Sequence, residues 1–290
     1  MAGRFLPFPS AEIDPLSNVP SSDNSPAKKH NQGAWDRMAR GGHRFAQPAK
    51  EEDFKDPLKT VDRWGWLGES LYGKRILCLA AGGGRQGPLY AAAGGIVTVV
   101  DISGAQLEID RRVASERGLQ LRTVEASMDD LSMFAPADFD IVIHPVSTCY
   151  VPDVAPIFRE VAKVLCSGGL YISQHKTPTS LQADIQRSER GYELTEPYYR
   201  DGPLPEVRGS RHREEGTLEY LHRWDQLLGG MCRAGLVIED LVEPLHAKED
   251  AEPGSFEDRS KYIAPYVRIK ARRMGQASPQ TESGALWLPS

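Results

Sequence analysis

Residues 75–103, RILCLAAGGGRQGPLYAAAGGIVTVVDIS, decide the fold of this chain. The apolar run at 76–79 is typical of a parallel strand buried on both faces, and three glycines follow it at 82–84. Glycine adopts positive φ without steric cost and lets a ligand approach the main chain closely. The pattern then predicts a helix over 86–93 and a second buried strand over 96–100. Together these elements predict half of a nucleotide-binding α/β unit.

An acidic residue stands where the second strand ends. Asp101 lies at the carboxyl end, the edge at which open α/β sheets bind their ligands, and it can accept both hydroxyls of a ribose. Gly82, Gly84 and Gly87 match G-x-G-x-x-G, with Asp101 19 residues after the first glycine. This spacing fits a dinucleotide-binding fingerprint, so a nicotinamide-dependent oxidoreductase is one alternative. Against it, 74 residues precede the first strand, and two alanines separate that strand from the glycines.

Five sequence blocks in the expected order resemble the class I S-adenosylmethionine-dependent methyltransferases. They are residues 75–84, Asp101, residues 121–131 (LRTVEASMDDL), residues 138–147 (DFDIVIHPVS) and residues 156–175 (PIFREVAKVLCSGGLYISQH). The resemblance covers roughly residues 34–272, and it looks closest to the uncharacterised or UbiE-like small-molecule branch. It implies an α/β fold with a Rossmann-like, seven-stranded, mostly parallel sheet whose last strand is antiparallel. Helices would cover both faces, with an N-terminal helical cover and an inserted lid.

The resemblance also implies a cofactor site. S-adenosylmethionine would bind at the carboxyl edge of the sheet and leave as S-adenosylhomocysteine, without a metal. The candidate cofactor-binding residues are Trp35, Ala80, Gly82, Gly84, Asp101, Ile102, Ser127, Met128 and His144. The acceptor would be a small molecule, with oxygen, nitrogen, carbon and sulfur all open as the methylated atom.

Three of the family's usual residues are replaced, and one of them is the first glycine of the first motif, whose position Ala80 takes. Cys78 stands where the first motif usually has an acid, and Ser127 stands where the third block often has aspartate. A non-catalytic, cofactor-binding partner protein is therefore a second alternative.

His144 and Tyr150 are the candidate catalytic residues. His144 follows the fourth predicted strand, and histidine titrates near neutral pH, so it can serve as a general base or shape the site. Tyr150 either contacts the acceptor or packs against a helix.

A long polar segment, residues 176–217, follows the fifth predicted strand. Connections of this length are usually functional or disordered, and the aromatic content of this one favours a lid. The candidate acceptor-binding residues in and beside it are His175, Tyr198, Tyr199, Arg200 and Arg211.

The remaining pattern predicts one domain over residues 31–273 between disordered tails at 1–30 and 274–290. The further elements that the pattern predicts are short helices over 34–45 and 60–66, a helix from 103 to 117, a long helix over 218–234, and strands over 236–243 and 266–272.

Composition bears on the class of partner and on the location of the protein. The formal net charge of −5 argues against a nucleic-acid backbone as partner, because such affinity comes from lysine and arginine. The four cysteines form no pair with zinc spacing, and reduced cysteines suggest a cytoplasmic protein. No apolar run approaches the about 20 residues that span a bilayer.

Overall fold

The computed structural model describes residues 25–43, 46–207, 210 and 212–275. Within these residues, seven strands form one sheet: β1 (Arg75–Leu79), β2 (Ile96–Asp101), β3 (Leu121–Glu125), β4 (Phe139–His144), β5 (Leu165–Lys176), β6 (Leu236–Val242) and β7 (Tyr266–Arg273). Their order is β3-β2-β1-β4-β5-β7-β6, and β7 runs antiparallel to both of its neighbours. The predicted fold, including the antiparallel last strand, is confirmed.

Helices surround this sheet. They are α1 (Pro26–Arg40), α2 (Pro57–Val61), α3 (Gln86–Ala92), α4 (Gly104–Glu116), α5 (Ala155–Val164), α6 (Pro178–Gln182), α7 (Trp224–Arg233) and α8 (Phe256–Arg259), with 3-10 turns at Glu51–Phe54 and Thr148–Tyr150. In the part of the chain just described, no helix combines the length and the apolar character that crossing a membrane requires.

The core has two layers because side chains alternate along β1. Leu77 and Leu79 pack on the face covered by α5 and α7. Ile76 and Cys78 pack on the opposite face, against α2, α3 and α4. The sheet is thereby buried on both sides, as its continuously apolar strands predict.

The N-terminal helix begins earlier than predicted. It starts at Pro26 and ends at Arg40, because the Ser25 side chain accepts a hydrogen bond from the Lys28 N–H and Pro26 occupies the first turn. Residues 26–30 are therefore helical, and their assignment to a disordered tail is corrected. The rest of that segment, like residues 276–290, lies outside the described part of the chain.

Two other predicted helices are shorter or displaced. The helix predicted over 60–66 is α2, which begins at Pro57 because Asp56 caps it, and which ends at Val61. The helix predicted over 218–234 is only α7, from Trp224. Residues 218–223 have no regular secondary structure, and their backbone and side chains bond to the loop after β4; the Tyr220 N–H, for example, donates to the Cys149 carbonyl.

Candidate functional site

The glycine loop after β1 is joined directly to Asp101 at the end of β2. The Gly82 N–H donates to Asp101 Oδ2 (2.9 Å), and the Ser103 N–H donates to Asp101 Oδ1 (2.9 Å). A Cβ on Gly82 would lie 2.6 Å from the Gln106 Cβ and 3.1 Å from the Asp101 carboxylate, so no larger residue fits. Burial raises the pKa of Asp101 to about 6, against the effect of the backbone donors.

A second acid, Asp110 on α4, is hydrogen-bonded to the same glycine loop. Its Oδ2 accepts from the Gly83 N–H (2.9 Å), and burial raises its pKa to about 7. Burial, and to a lesser extent the charge of the Asp110 carboxylate, raises the pKa of the Cys78 thiol. Asp110 thus supplies, from a helix, a carboxylate near the position where the first motif has cysteine. The sequence motifs do not single out Asp110, although an aspartate on the buried face of a helix is a usable signal.

A cavity of about 590 Å³ opens above this loop. Among the predicted residues, those that line it are Trp35, Ala80, Gly82, Asp101, Ile102, Ser127, Met128 and Tyr150. The structure therefore brings together residues from α1, from the ends of β1 and β2, and from the loops after β3 and β4. The volume falls within the range of roughly 300–1,000 Å³ typical of small-molecule sites.

Helix α1 covers one side of the cavity, and hydrogen bonds of the buried Asn31 side-chain amide fix it there. The Asn31 Nδ2 donates to the carbonyls of Tyr150 (2.9 Å) and Leu218 (3.0 Å), and its Oδ1 accepts from the Leu218 N–H (2.8 Å). At the next turn, Asp36 accepts from the Ser103 hydroxyl (2.6 Å). The predicted N-terminal cover is present.

His144 does not line the cavity. Its Nδ1 lies 2.7 Å from the Tyr171 hydroxyl and its Nε2 lies 2.6 Å from the Ser147 hydroxyl, so both ring nitrogens have partners. Burial lowers the pKa of His144 to about 3. The placement of His144 beside the reacting groups is corrected, because Ser147 lies between the imidazole and the cavity.

Tyr150 does reach the cavity. Its ring packs edge-on against Trp35, with centroids 5.4 Å apart. Burial raises the pKa of Tyr150 well above its usual value, and its hydroxyl donates a hydrogen bond to the Glu214 carboxylate. The phenol is therefore a donor and not a base.

The other residues assigned to acceptor binding lie elsewhere. His175 is fully buried between the hydroxyls of Thr148 and Ser173. Tyr198 accepts from the Trp224 N–H, and Arg200 pairs with Glu196 (2.6 Å). Neither they nor the exposed Tyr199 line the cavity, nor does Gly84, whose φ of 76° turns the loop. Arg211 lies outside the described residues.

A buried ion cluster, defined as Lys176, Arg213, Glu214 and Glu219, closes the end of the cavity near Tyr150. Lys176 Nζ pairs with Glu214 Oε2 (2.6 Å) and with Glu219, and Arg213 also pairs with Glu219. Glu214 lines the cavity. No sequence motif predicts this cluster, because its members are not grouped by any regular spacing and look like ordinary surface charges. No group of His, Cys, Asp and Glu with the makings of a metal site occurs among the described residues.

Comparison with known proteins identifies relatives in sequence. A family described as "Methyltransferase domain" matches residues 77–173. An uncharacterized methyltransferase, YbaJ, of Bacillus subtilis (strain 168) is 33% identical over 229 residues, which cover 74% of this chain and 89% of the relative. A ubiquinone biosynthesis O-methyltransferase of Bordetella pertussis is 29% identical over 176 residues, or 58% of this chain and 72% of the relative.

Solved structures share the fold. An S-adenosylmethionine-dependent methyltransferase from Mesorhizobium loti aligns with a TM-score of 0.57 at 22% identity, over 75% of this chain and 98% of its own. The geranyl diphosphate C-methyltransferase of Streptomyces coelicolor, crystallised with Mg²⁺, geranyl diphosphate and S-adenosylhomocysteine, aligns with a TM-score of 0.57 at 17% identity, over 87% of this chain and 100% of its own. At these identities the likeness is one of fold alone.

Proposed function

The chain belongs to the class I S-adenosylmethionine-dependent methyltransferase family, and we propose that it methylates a small molecule bound in the cavity between Asp101 and Glu214. The observation that carries this proposal is the Asp101 carboxylate, which is fixed to the glycine loop and lines a cavity of small-molecule size. This arrangement provides a nucleoside-binding end and leaves a separate end for an acceptor.

The residues of the cavity fit the cofactor. In this proposal the Asp101 carboxylate would accept the ribose hydroxyls, and Ile102, Ser127 and Met128, which also line the cavity, would contact the adenine. Gln106 Oε1 is buried at the glycine loop and has no hydrogen-bond partner among the described residues. An unpaired buried acceptor is costly, so a donor group of the cofactor would satisfy it. Gln106 would thereby make a cofactor contact of the kind that the usual acid of the first motif makes and that the Cys78 thiol cannot make.

The chain's own contribution to the chemistry is positioning and exclusion of water. When bound, S-adenosylmethionine supplies an activated methyl group on a sulfonium. Trp35 and Asn31 on α1 hold the cover over the site, and the loop after β4 forms its floor with Ser147 and Tyr150. Holding two reactants in line makes the transfer effectively intramolecular, which supplies much of the rate enhancement.

Neither alternative is favoured. The family membership argues against a nicotinamide-dependent oxidoreductase, because that reading rested on the glycine spacing alone. The reading as a non-catalytic partner rested on missing acids, and Asp110 supplies a carboxylate to the loop that Cys78 does not.

The net charge and the free cysteines support a small-molecule acceptor and a cytoplasmic location. All four cysteines are free, which suits the reducing cytoplasm. The net charge of −5 favours a small-molecule acceptor over a nucleic acid.

The test uses a cofactor labelled with a deuterated methyl group. The protein and labelled S-adenosylmethionine are incubated with a protein-free, low-molecular-weight filtrate of a bacterial extract supplemented with catechol. Mass spectrometry is expected to show a small molecule that gains the labelled methyl group, and heat-treated protein is the control. A protein that binds the cofactor but labels nothing in the filtrate contradicts the proposal.

A further inference from the structure

We propose that Glu214 binds and deprotonates the acceptor, and that the acceptor is a hydroxyl compound methylated on oxygen. The inference rests on the small-molecule methyl transfer proposed above. Nothing in the sequence blocks points to Glu214, which reaches the cavity from residues 176–217 through long-range pairing.

The position of Glu214 places it at the acceptor end. Asp101 ends β2, whereas Glu214 is paired to Lys176 at the end of β5. In the sheet order β2-β1-β4-β5, three strand spacings separate those two ends. At about 4.8 Å per spacing, the ends of these two strands lie roughly 14 Å apart along the sheet edge. With the nucleoside over β2, the reacting groups meet near β4 and β5.

Glu214 is the base that this end offers. Of the cavity-lining residues that the structure describes, Asp101 and Glu214 are the carboxylates, and none is a histidine or a cysteine. Asp101 is committed to the glycine loop and the ribose. His144 is separated from the cavity by Ser147, and Tyr150 is a donor to Glu214.

The surroundings of Glu214 hold it in an ionised, oriented state. Its side chain is only 6% exposed, and Lys176, Tyr150 and the Glu219 carboxyl, whose pKa is raised by burial, all hydrogen-bond to it. Three partners still leave lone-pair capacity on a carboxylate, which has about four acceptor positions. The remaining capacity suits an acceptor that donates a hydrogen bond from inside the cavity.

The charge of the cluster selects a hydroxyl over an amine. Lys176 holds the pKa of Glu214 below its usual value, so the carboxylate is a weak base near neutral pH. An aliphatic ammonium, with a pKa of about 10, keeps its proton beside such a base and has no lone pair to react. A hydroxyl keeps its lone pairs, and its proton becomes strongly acidic as the new bond forms.

The proposed step balances. A lone pair of the hydroxyl oxygen forms the bond to the methyl carbon, and the sulfur–carbon bond breaks with its electron pair left on sulfur. The hydroxyl proton passes to the Glu214 carboxylate. The positive sulfonium and the negative carboxylate become a neutral thioether and a neutral carboxylic acid, with an ether as product.

The experiment compares wild-type protein with Glu214→Gln in the labelled-methyl assay. Wild type is expected to place the label on oxygen, recognised because an ether-linked methyl is released by hydriodic acid. Glu214→Gln is expected to slow this labelling by about 10²–10⁴-fold, the usual contribution of a general base. Its affinity for S-adenosylhomocysteine, measured by calorimetry, should stay within about twofold.

Two matched variants separate catalysis from structure. Glu215→Gln makes the same change at the exposed neighbouring residue and should label at the wild-type rate. Glu219→Gln disturbs the same ion cluster without reaching the cavity, so its melting temperature should fall at least as far as that of Glu214→Gln, with a smaller loss of labelling.

The outcomes distinguish this inference from the function that it rests on. Label on nitrogen, sulfur or carbon, or a Glu214→Gln rate within tenfold of wild type, overturns the inference and leaves small-molecule methyl transfer standing. Equal losses in Glu214→Gln and Glu219→Gln also overturn it. A wild-type protein that labels nothing overturns both.

Discussion

At the scale of single residues, Asp101 combines a structural and a binding role. Its two oxygens each accept a backbone N–H, from Gly82 and Ser103, while the carboxylate borders the cavity. Burial raises its pKa to about 6, close to neutral pH. Ribose hydroxyls would donate to the ionised form, so binding of the nucleoside and ionisation of Asp101 favour each other.

Asp101→Ala should weaken binding of S-adenosylhomocysteine by about 1.5–3 kcal/mol, roughly ten- to a hundredfold, because the ribose loses a charged acceptor. Isothermal calorimetry measures the change. Unaltered affinity would exclude Asp101 as the ribose ligand.

The same affinity should depend on pH. In wild type, affinity is expected to decline as the pH falls through about 6, since protonated Asp101 is a poorer acceptor. Asp101→Asn, which cannot titrate, should lose that dependence, and this variant serves as the control.

His144→Gln tests whether the buried imidazole is neutral. The folded-state pKa of about 3 lies below the unfolded value of about 6.5, so the stability contributed by His144 is present above pH 6.5 and is lost as the pH falls toward 3. The slope of unfolding free energy between pH 4 and 6 should be shallower in the variant by about 1.4 kcal/mol per pH unit. Denaturant titrations supply these values, and an unchanged slope would mean that native His144 is already protonated.

At the scale of elements, α1 and residues 218–223 are hydrogen-bonded to each other beside the cavity. Asn31 bonds to both Leu218 backbone groups and to the Tyr150 carbonyl, so one amide joins the cover, the loop after β4 and residues 218–223. These bonds are the reason that residues 218–223 are not helical.

Asn31→Ala should loosen this cover. Removing the amide leaves buried backbone groups unpaired, at a cost of about 1–3 kcal/mol for each unsatisfied group. We expect a lower melting temperature and faster proteolysis within α1. Gln32→Ala, one residue along and bonded instead to the Ile102 carbonyl, is the comparison. Equal sensitivity of the two variants would argue against a special role for Asn31.

Local sequence predicts those elements that are determined by residues within the same stretch of chain. The β1–loop–α3–β2 unit follows from apolar runs and glycines, and α4 starts where Ser103 caps it, as the sequence indicates. The structure also shows Ala80 at a φ of 47°, in the region that favours glycine, which agrees with the glycine usual there in the family. These features are short-range, and a single sequence carries them.

Contacts between residues that are far apart in the chain could not be predicted from local sequence patterns. The environment of His144 depends on Tyr171, 27 residues away, and Glu214 meets Lys176 across 38 residues. The sequence pattern predicts aromatic and basic side chains of residues 176–217 in the acceptor site, whereas in the structure Glu214 of this segment lines the cavity. Whether a polar side chain lies at the surface or in a buried pair follows no sequence periodicity, so a single sequence does not distinguish the two.

At the scale of the whole molecule, cofactor binding should stabilise the native state. S-adenosylhomocysteine at 100 times its dissociation constant should add about 2.7 kcal/mol to the free energy of unfolding, because it binds only the folded chain. Thermal melts with NAD at the same concentration provide the control and should show no shift. A shift with NAD alone would favour the oxidoreductase reading.

The central claim is that one cavity seats the nucleoside at Asp101 and directs the reacting sulfur toward Glu214. A crystal structure of the complex with S-adenosylhomocysteine tests it most directly. The account predicts both ribose hydroxyls within hydrogen-bond distance of the Asp101 carboxylate, with the sulfur facing the end of the cavity formed by Tyr150 and Glu214. A ribose bound away from Asp101, or a sulfur turned away from Glu214, would contradict it.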